Sequence, residues 1–228
     1  IKNEIFDAVT GALVSQAELK FGQKRINLFC EQPFSYVSMI DLNKQVNFQV
    51  EFKQPVINLL NSDLLPRMEQ HLLINGEQTT GNLFAQGHVQ IQNIQKIIRR
   101  ELLRYRDRLK NSNEGFMRQW PKNFELNAWV IKMTDGGNLK PHIHENGWVS
   151  GSIYISVPEK NHNDSGNLVV CLDNDANYDT LNNDRSMVLD IFSGAMCLFP
   201  ASLHHYTIPF KSSENRIVLA FDMIPLPP

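Results

Sequence analysis

Long apolar runs are missing from this chain. None of its 228 residues lie in a stretch approaching the ~20 consecutive apolar residues that cross a bilayer, so no membrane partner is expected. A surplus of one charge is also missing. Lysine and arginine number 22 against 24 aspartates and glutamates, a net charge of -2, which gives no whole-molecule reason to expect nucleic acid as a partner. Cysteine is scarce and odd in number. Cys30, Cys171 and Cys197 sit among apolar neighbours at spacings that fit no zinc knuckle or redox pair, and a reduced, cytoplasmic protein is the simplest expectation. There is no glycine-rich phosphate loop, and no Ser/His/Asp or Cys/His nucleophile arrangement can be picked out. Disorder of the whole chain is excluded, because 42% of it is hydrophobic and its charges balance.

What is present divides near residue 115. Residues 1–24 hold one amphipathic helix over Lys2–Leu19, with Ile5, Val9, Leu13 and Ala17 at four-residue steps. The chain opens on Ile1, and this helix is expected to be the end of an upstream helical repeat in a longer protein. Residues 25–115 read as a mixed, mainly helical support region. Within it, Val46, Phe48, Val50 and Phe52 alternate with polar residues and predict a strand. Pro55 is expected to open a short helix, and Asn75–Gly87 to form a polar loop. A helix from Val89 to Lys110 follows, with Ile91, Ile94, Ile98, Leu102, Tyr105 and Leu109 as its apolar stripe. Its other face carries Arg99, Arg100, Arg104, Arg106 and Arg108. With Glu101 and Asp107 interspersed, these read as a solvated face rather than a nucleic-acid footprint.

From residue 116 onward short apolar runs alternate with turn signals. The expected strands are Glu125–Met133, Trp148–Val157, Leu168–Leu172, Met187–Ile191, Ala195–Phe199, His205–Pro209 and Arg216–Met223. Between them fall Asp135-Gly136-Gly137-Asn138, Asp164-Ser165-Gly166, Ser193-Gly194 and Lys211-Ser212-Ser213. The predicted fold is therefore α+β, a C-terminal double-stranded β-helix (jelly roll) over 116–228 with a helical N-terminal part packed on it.

Five of the seven histidines lie in this β region. His142 and His144, in Lys140-Pro141-His142-Ile143-His144-Glu145, are two residues apart and share one face of an extended strand. Two adjacent imidazoles are half of a metal site, and His204 or His205, after Phe199-Pro200, can supply a third. Arg216 shares a strand face with Val218 and Ala220, while Ile217, Leu219 and Phe221 take the other. An arginine facing inward among small apolar residues needs an anion, either Asp222 on its own strand or the carboxylate of a ligand.

Taken in order, His142-x-His144, Ser150-Gly151-Ser152-Ile153-Tyr154, Gly194 before a short strand, Phe199-Pro200, His205 and Arg216 resemble the 2-oxoglutarate-dependent Fe(II) dioxygenases. The likeness is greatest to the bacterial and phage branch of 2OG-Fe(II) oxygenases often found behind tetratricopeptide repeats. It is strong from the histidine pair onward and looser over Gly76–Phe84 and the following helix. The resemblance implies that His142, His144 and His205 hold Fe(II). It gives Arg216, with the Tyr154 hydroxyl as a second donor, the distal carboxylate of the cosubstrate 2-oxoglutarate. Gly194 would turn the hairpin leading to the His205 strand. It further implies a hydroxylase that uses oxygen and releases succinate, and an upstream repeat would favour a protein or peptide substrate. Most such enzymes combine two histidines with one carboxylate, and His144 stands where that carboxylate belongs. Two other functions fit the same residues: a cupin-like three-histidine metalloenzyme without 2-oxoglutarate, and a jelly roll that binds metal or ligand without catalysis. Trp129 and Trp148 are expected to pack and to edge the pocket. The acidic stretch Asp173–Asp184 opens like a calcium loop but lacks its glycine and closing glutamate, and reads as a solvated loop.

Overall fold

The computed structural model describes residues 6–62, 65–87, 89–174 and 184–227. Its helices are α1 (Ala8–Phe21), α2 (Gln54–Leu60), α3 (Val89–Arg108) and the single turn α4 (Gly115–Arg118). The strands are β1 (Ser38–Asp41), β2 (Arg67–Met68), β3 (Leu73–Thr79), β4 (Phe124–His142), β5 (Val149–Ser156) and β6 (Leu168–Cys171). They continue with β7 (Ser186–Leu189), β8 (Ala195–Pro200), β9 (His204–Thr207) and β10 (Arg216–Pro225). No helix among the described residues is long and apolar enough to cross a membrane.

The strands form one curled, antiparallel sheet in the order β1-β8-β5-β10-β4-β9-β6-β7, with β3 alongside β4 and β2 outside β3. Strand β4 makes the curl. Its first part, Phe124–Met133, pairs with β10, whereas Leu139 and His142 at its far end pair with β9. The stretch Asp135-Gly136-Gly137-Asn138, expected as a turn, is instead an irregularity inside this strand. Register against β3 shifts there, opposite Asn75, and Gly136 takes a left-handed φ of 72°. Such an insertion bends a strand and raises its twist, so β4 passes from one half of the sheet to the other.

Period-two alternation sorts the side chains onto two faces. Ile217, Leu219, Phe221 and Met223 of β10 join Leu126, Ala128 and Val130 of β4 in a core shared with Ile91, Ile94, Ile98 and Leu102 of α3. The opposite face turns into the curl, where Tyr154, Leu168, Val170, Phe199 and Val218 pack together. Gly151 lies against the Phe221 ring, only 2.3 Å from where a Cβ would stand, so only glycine fits there. Three arginines of α3 are occupied locally. Arg100 and Arg104 hold the buried carboxylate of Glu101 at 3.0 and 2.8 Å, and the Arg99 guanidinium lies 4.8 Å from the centre of the Phe124 ring.

Three further local expectations are corrected. Residues 49–53 form a π-helical turn that runs into α2, not a strand. Phe48 and Phe52 are buried and stacked at 5.2 Å while Val50 is 59% exposed, because the four-residue spacing Phe48–Phe52–Val56 is helical and outweighs the two-residue alternation. The loop expected from Asn75 holds part of β3 (Leu73–Thr79), whose ends alone are buried, so its pattern is largely polar. Helix α1 does not bury Leu13, which is 58% exposed; it buries Ala8, Gly11 and Ala12. A Cβ on Gly11 would stand 2.9 Å from that of Phe29, so this small-residue face lets the helix lie close. Ile5 and His88 lie outside the described residues, as does most of the acidic stretch Asp173–Asp184.

Candidate metal centre and cosubstrate pocket

Sheet register brings His142 and His205 together. They are directly opposed Cα partners between β4 and β9, a position that sets side chains about 5 Å apart. Their ring centres lie 4.2 Å apart. His144 sits just beyond the end of β4, so the expectation that both histidines share one strand is corrected. It returns through a turn in which the Gly147 amide donates to the His144 carbonyl at 3.1 Å. Its ring is 5.1 Å from that of His142 and 4.8 Å from that of His205. One ligand atom from each of the three falls within 4.8 Å of the others.

Local hydrogen bonds orient two of the rings. His142 Nδ1 is 2.8 Å from the Lys140 carbonyl oxygen, and His144 Nδ1 is 2.8 Å from Asp222 Oδ1. Both acceptors require a proton on Nδ1, which in a neutral ring leaves the lone pair on Nε2. His205 is buried, and its Nδ1 makes no hydrogen bond to the protein. Burial and the neighbouring His144 pull the His142 pKa down to about 4, and burial drives that of His205 well below its ordinary value. At neutral pH both rings are therefore uncharged, the form that binds metal. The donor set fits a divalent transition metal. Glu145 is exposed and stands outside this group, and His204 projects from the other face of β9, 3.2 Å from Gln16.

A cavity of about 250 Å³ opens beside the histidines and is lined by Tyr154, Leu168, Phe199, Arg216 and Val218. Arg216 is 2% exposed, and its Nε donates to the Gly166 carbonyl at 3.1 Å. Its guanidinium carbon lies 5.1 Å from the centre of the Tyr154 ring. Asp222, the alternative partner weighed from sequence, bonds to His144 and Ser150 instead, and no carboxylate among the described residues ion-pairs with Arg216. Burial lowers the pKa of Arg216 and raises that of Tyr154, so each feels the loss of water. A buried guanidinium with unused donors facing a cavity suits a carboxylate ligand. Tyr154 adds a hydroxyl that accepts from Ser152 at 3.2 Å. Trp129 lies at the cavity as expected, its ring 5.1 Å from that of His144, but Trp148 does not line it and packs in the core against Phe29. Sequence reasoning missed Gln70 and Gln78, whose side chains bond to each other at 3.0 Å beside the cavity. Gln78 lies in the segment read as loop and Gln70 five residues before it, and no signal distinguished them.

Solved structures share the fold. The fold is similar to that of a Pseudomonas putida prolyl-4-hydroxylase, with a TM-score of 0.59 at 10% identity over 95% of this chain and 100% of that one. It is also similar to the viral collagen prolyl hydroxylase of Paramecium Bursaria Chlorella virus-1 in complex with 2OG (TM-score 0.54, 16% identity, 84% and 97% covered). A third similarity is to HygX of Streptomyces hygroscopicus with nickel and 2-oxoglutarate bound (TM-score 0.57, 12% identity, 83% and 82% covered). No curated protein matches the sequence. Residues 127–222 match the family model described as "Putative 2OG-Fe(II) oxygenase". That match spans the stretch holding the three histidines and Arg216, and the chain shares its fold with solved 2-oxoglutarate oxygenases.

Proposed function

We propose that the chain is a hydroxylase of a protein or peptide substrate, with Fe(II) held by His142, His144 and His205 and 2-oxoglutarate held by Arg216 and Tyr154. What supports this most is one cavity having three convergent imidazoles at one side and a buried guanidinium without a carboxylate partner at another. When bound, Fe(II) supplies the oxygen chemistry that splits 2-oxoglutarate into succinate and carbon dioxide while a substrate C–H bond becomes C–OH.

The chain's own groups prepare that reaction. His142 and His205, neutral at pH 7, present lone pairs without competition from protons. Arg216 grips the far carboxylate of the keto acid through its fork of N–H donors, and Tyr154 donates a further hydrogen bond. Leu168, Phe199 and Val218 wall the cosubstrate off from water, which strengthens those contacts. Trp129 offers an aromatic surface to the substrate at the rim. A peptide substrate is supported by a similar fold: a Trichoplax adhaerens prolyl hydroxylase is in complex with a peptide fragment of hypoxia inducible factor.

In this reading 116–228 is a double-stranded β-helix oxygenase core. Residues 25–115 support it and lend β1, β2 and β3 to the sheet, and the helix Ala8–Phe21 packs beside them. Three free, buried cysteines support a reduced, cytoplasmic setting. The test is succinate release from protein supplied with Fe(II), 2-oxoglutarate, oxygen and a peptide library. Succinate dependent on all three small molecules is expected, together with a 16-Da gain on a peptide (the mass of one oxygen atom, about 16). Oxygen uptake without succinate would support a cupin-like enzyme instead, and metal binding with no carbon dioxide released would support a non-catalytic module.

A further inference from the structure

We propose that Asp222 is a positioning residue of the metal centre, fixing His144 in the Nδ1–H form and lending it the negative charge that the ligand set lacks. The inference rests on reading His142, His144 and His205 as metal ligands. Asp222 lies on the inward face of β10 in step with Arg216, Val218 and Ala220, and is only 5% exposed. A carboxylate so buried needs donors. None of the ion pairs among the described residues gives it lysine or arginine. Its Oδ1 instead receives the His144 Nδ1–H at 2.8 Å and the Ser150 hydroxyl at 2.8 Å. Register makes the second contact unavoidable, since Asp222 and Ser150 are paired across β10 and β5. Gly147 lets the turn close over the carboxylate: a Cβ there would stand 3.3 Å from Oδ1.

The need for Asp222 follows from where His144 lies. His142 and His205 are aimed by paired strands, but His144 is outside β4 and has no ladder to orient it. The Asp222 bond is therefore what turns its ring. An acceptor on Nδ1 puts the proton there and the lone pair on Nε2. A hydrogen-bonded carboxylate also makes an imidazole a stronger donor to metal. Three neutral imidazoles lack the anion of the usual two-histidine, one-carboxylate set, and here a carboxylate stands one hydrogen bond away.

Two readouts test this without turnover. In ¹⁵N-labelled metal-free protein, long-range ¹H–¹⁵N correlation should find His144 in the Nδ1–H form, and Asp222→Ala should move it to Nε2–H. Under anaerobic conditions, competition with a chromophoric chelator should give an Fe(II) affinity about 10- to 100-fold weaker in Asp222→Ala, and weaker by a smaller factor in Asp222→Asn, which keeps an acceptor but not the charge. Should the alanine variant not fold, the similarly sized asparagine variant carries the test alone. His144→Ala separates the two levels of inference. Wild-type affinity in His144→Ala would overturn the ligand assignment and this proposal with it. Loss in His144→Ala with wild-type affinity and tautomer in both Asp222 variants would overturn the proposal and leave the ligand assignment standing.

Discussion

Arg216 carries its charge at 2% exposure beside the Gly166 carbonyl and the Tyr154 hydroxyl but with no carboxylate, and that lack dictates what its removal should do. If a cosubstrate carboxylate completes its shell, Arg216→Ala leaves the carboxylate unpaired. That costs about 2–5 kcal/mol, at least about thirtyfold in dissociation constant. Calorimetric titration of 2-oxoglutarate into the metal-loaded protein checks this, and an unchanged affinity would remove Arg216 from the pocket's function. Tyr154→Phe deletes one hydrogen bond and should cost less, about tenfold in the same titration. These residues were legible in the sequence because each carries a local signal. Histidines two apart, an arginine in step with small apolar residues and a Phe-Pro before a histidine pair can all be read along the chain. The bond from His144 to Asp222 was not legible. It joins positions 78 apart, and only the pairing of β10 with β5 brings the carboxylate beneath the ring.

Elements carry the site in proportion to how firmly they are packed. Strands β5 and β10 are pinned where Gly151 accepts the Phe221 ring, so Gly151→Val should force them apart. A loss on the order of 1–3 kcal/mol is expected, with weakened metal binding, because Ser150 lies on β5 and Asp222 on β10 beside this contact. Denaturant midpoints with and without metal measure both. A variant as stable as wild type would show that the strands have slack there. The strands after residue 116 were legible from alternation and from regular turn signals, and each starts within a few residues of its expected place, though β4 runs nine residues past its expected end at Met133. Failures came where two periods coexist or where neither shows. Phe48, Val50 and Phe52 alternate, yet Phe48, Phe52 and Val56 also keep helical spacing, and burial follows the helix. Strand β3 buries only its ends, so its place beside β4 depends on a partner distant in sequence.

At the scale of the whole molecule, burying neutral histidines couples folding to pH. Folded His142 titrates near 4 and the unfolded residue near 6.5, and His205 is displaced in the same direction. As pH falls from 6.5, the unfolded chain takes up protons that the fold refuses, so the stability of the metal-free protein is lost progressively toward pH 4. Urea midpoints between pH 7 and 5 should drop, and His142→Gln should flatten that slope; an equal slope in both would mean that burial does not depress this ring. The curl that makes the cavity also joins the two ends of the account. It sets β4 against β10 on one side and β9 on the other, placing the imidazoles and the guanidinium around a single space. The most direct measurement is anaerobic titration of the protein with Fe(II) and 2-oxoglutarate, following the visible charge-transfer band of the chelated keto acid. The band should form in wild type, vanish in His205→Ala and require far more 2-oxoglutarate in Arg216→Ala. A band that forms equally in all three would contradict the assignment of this cavity as the active site.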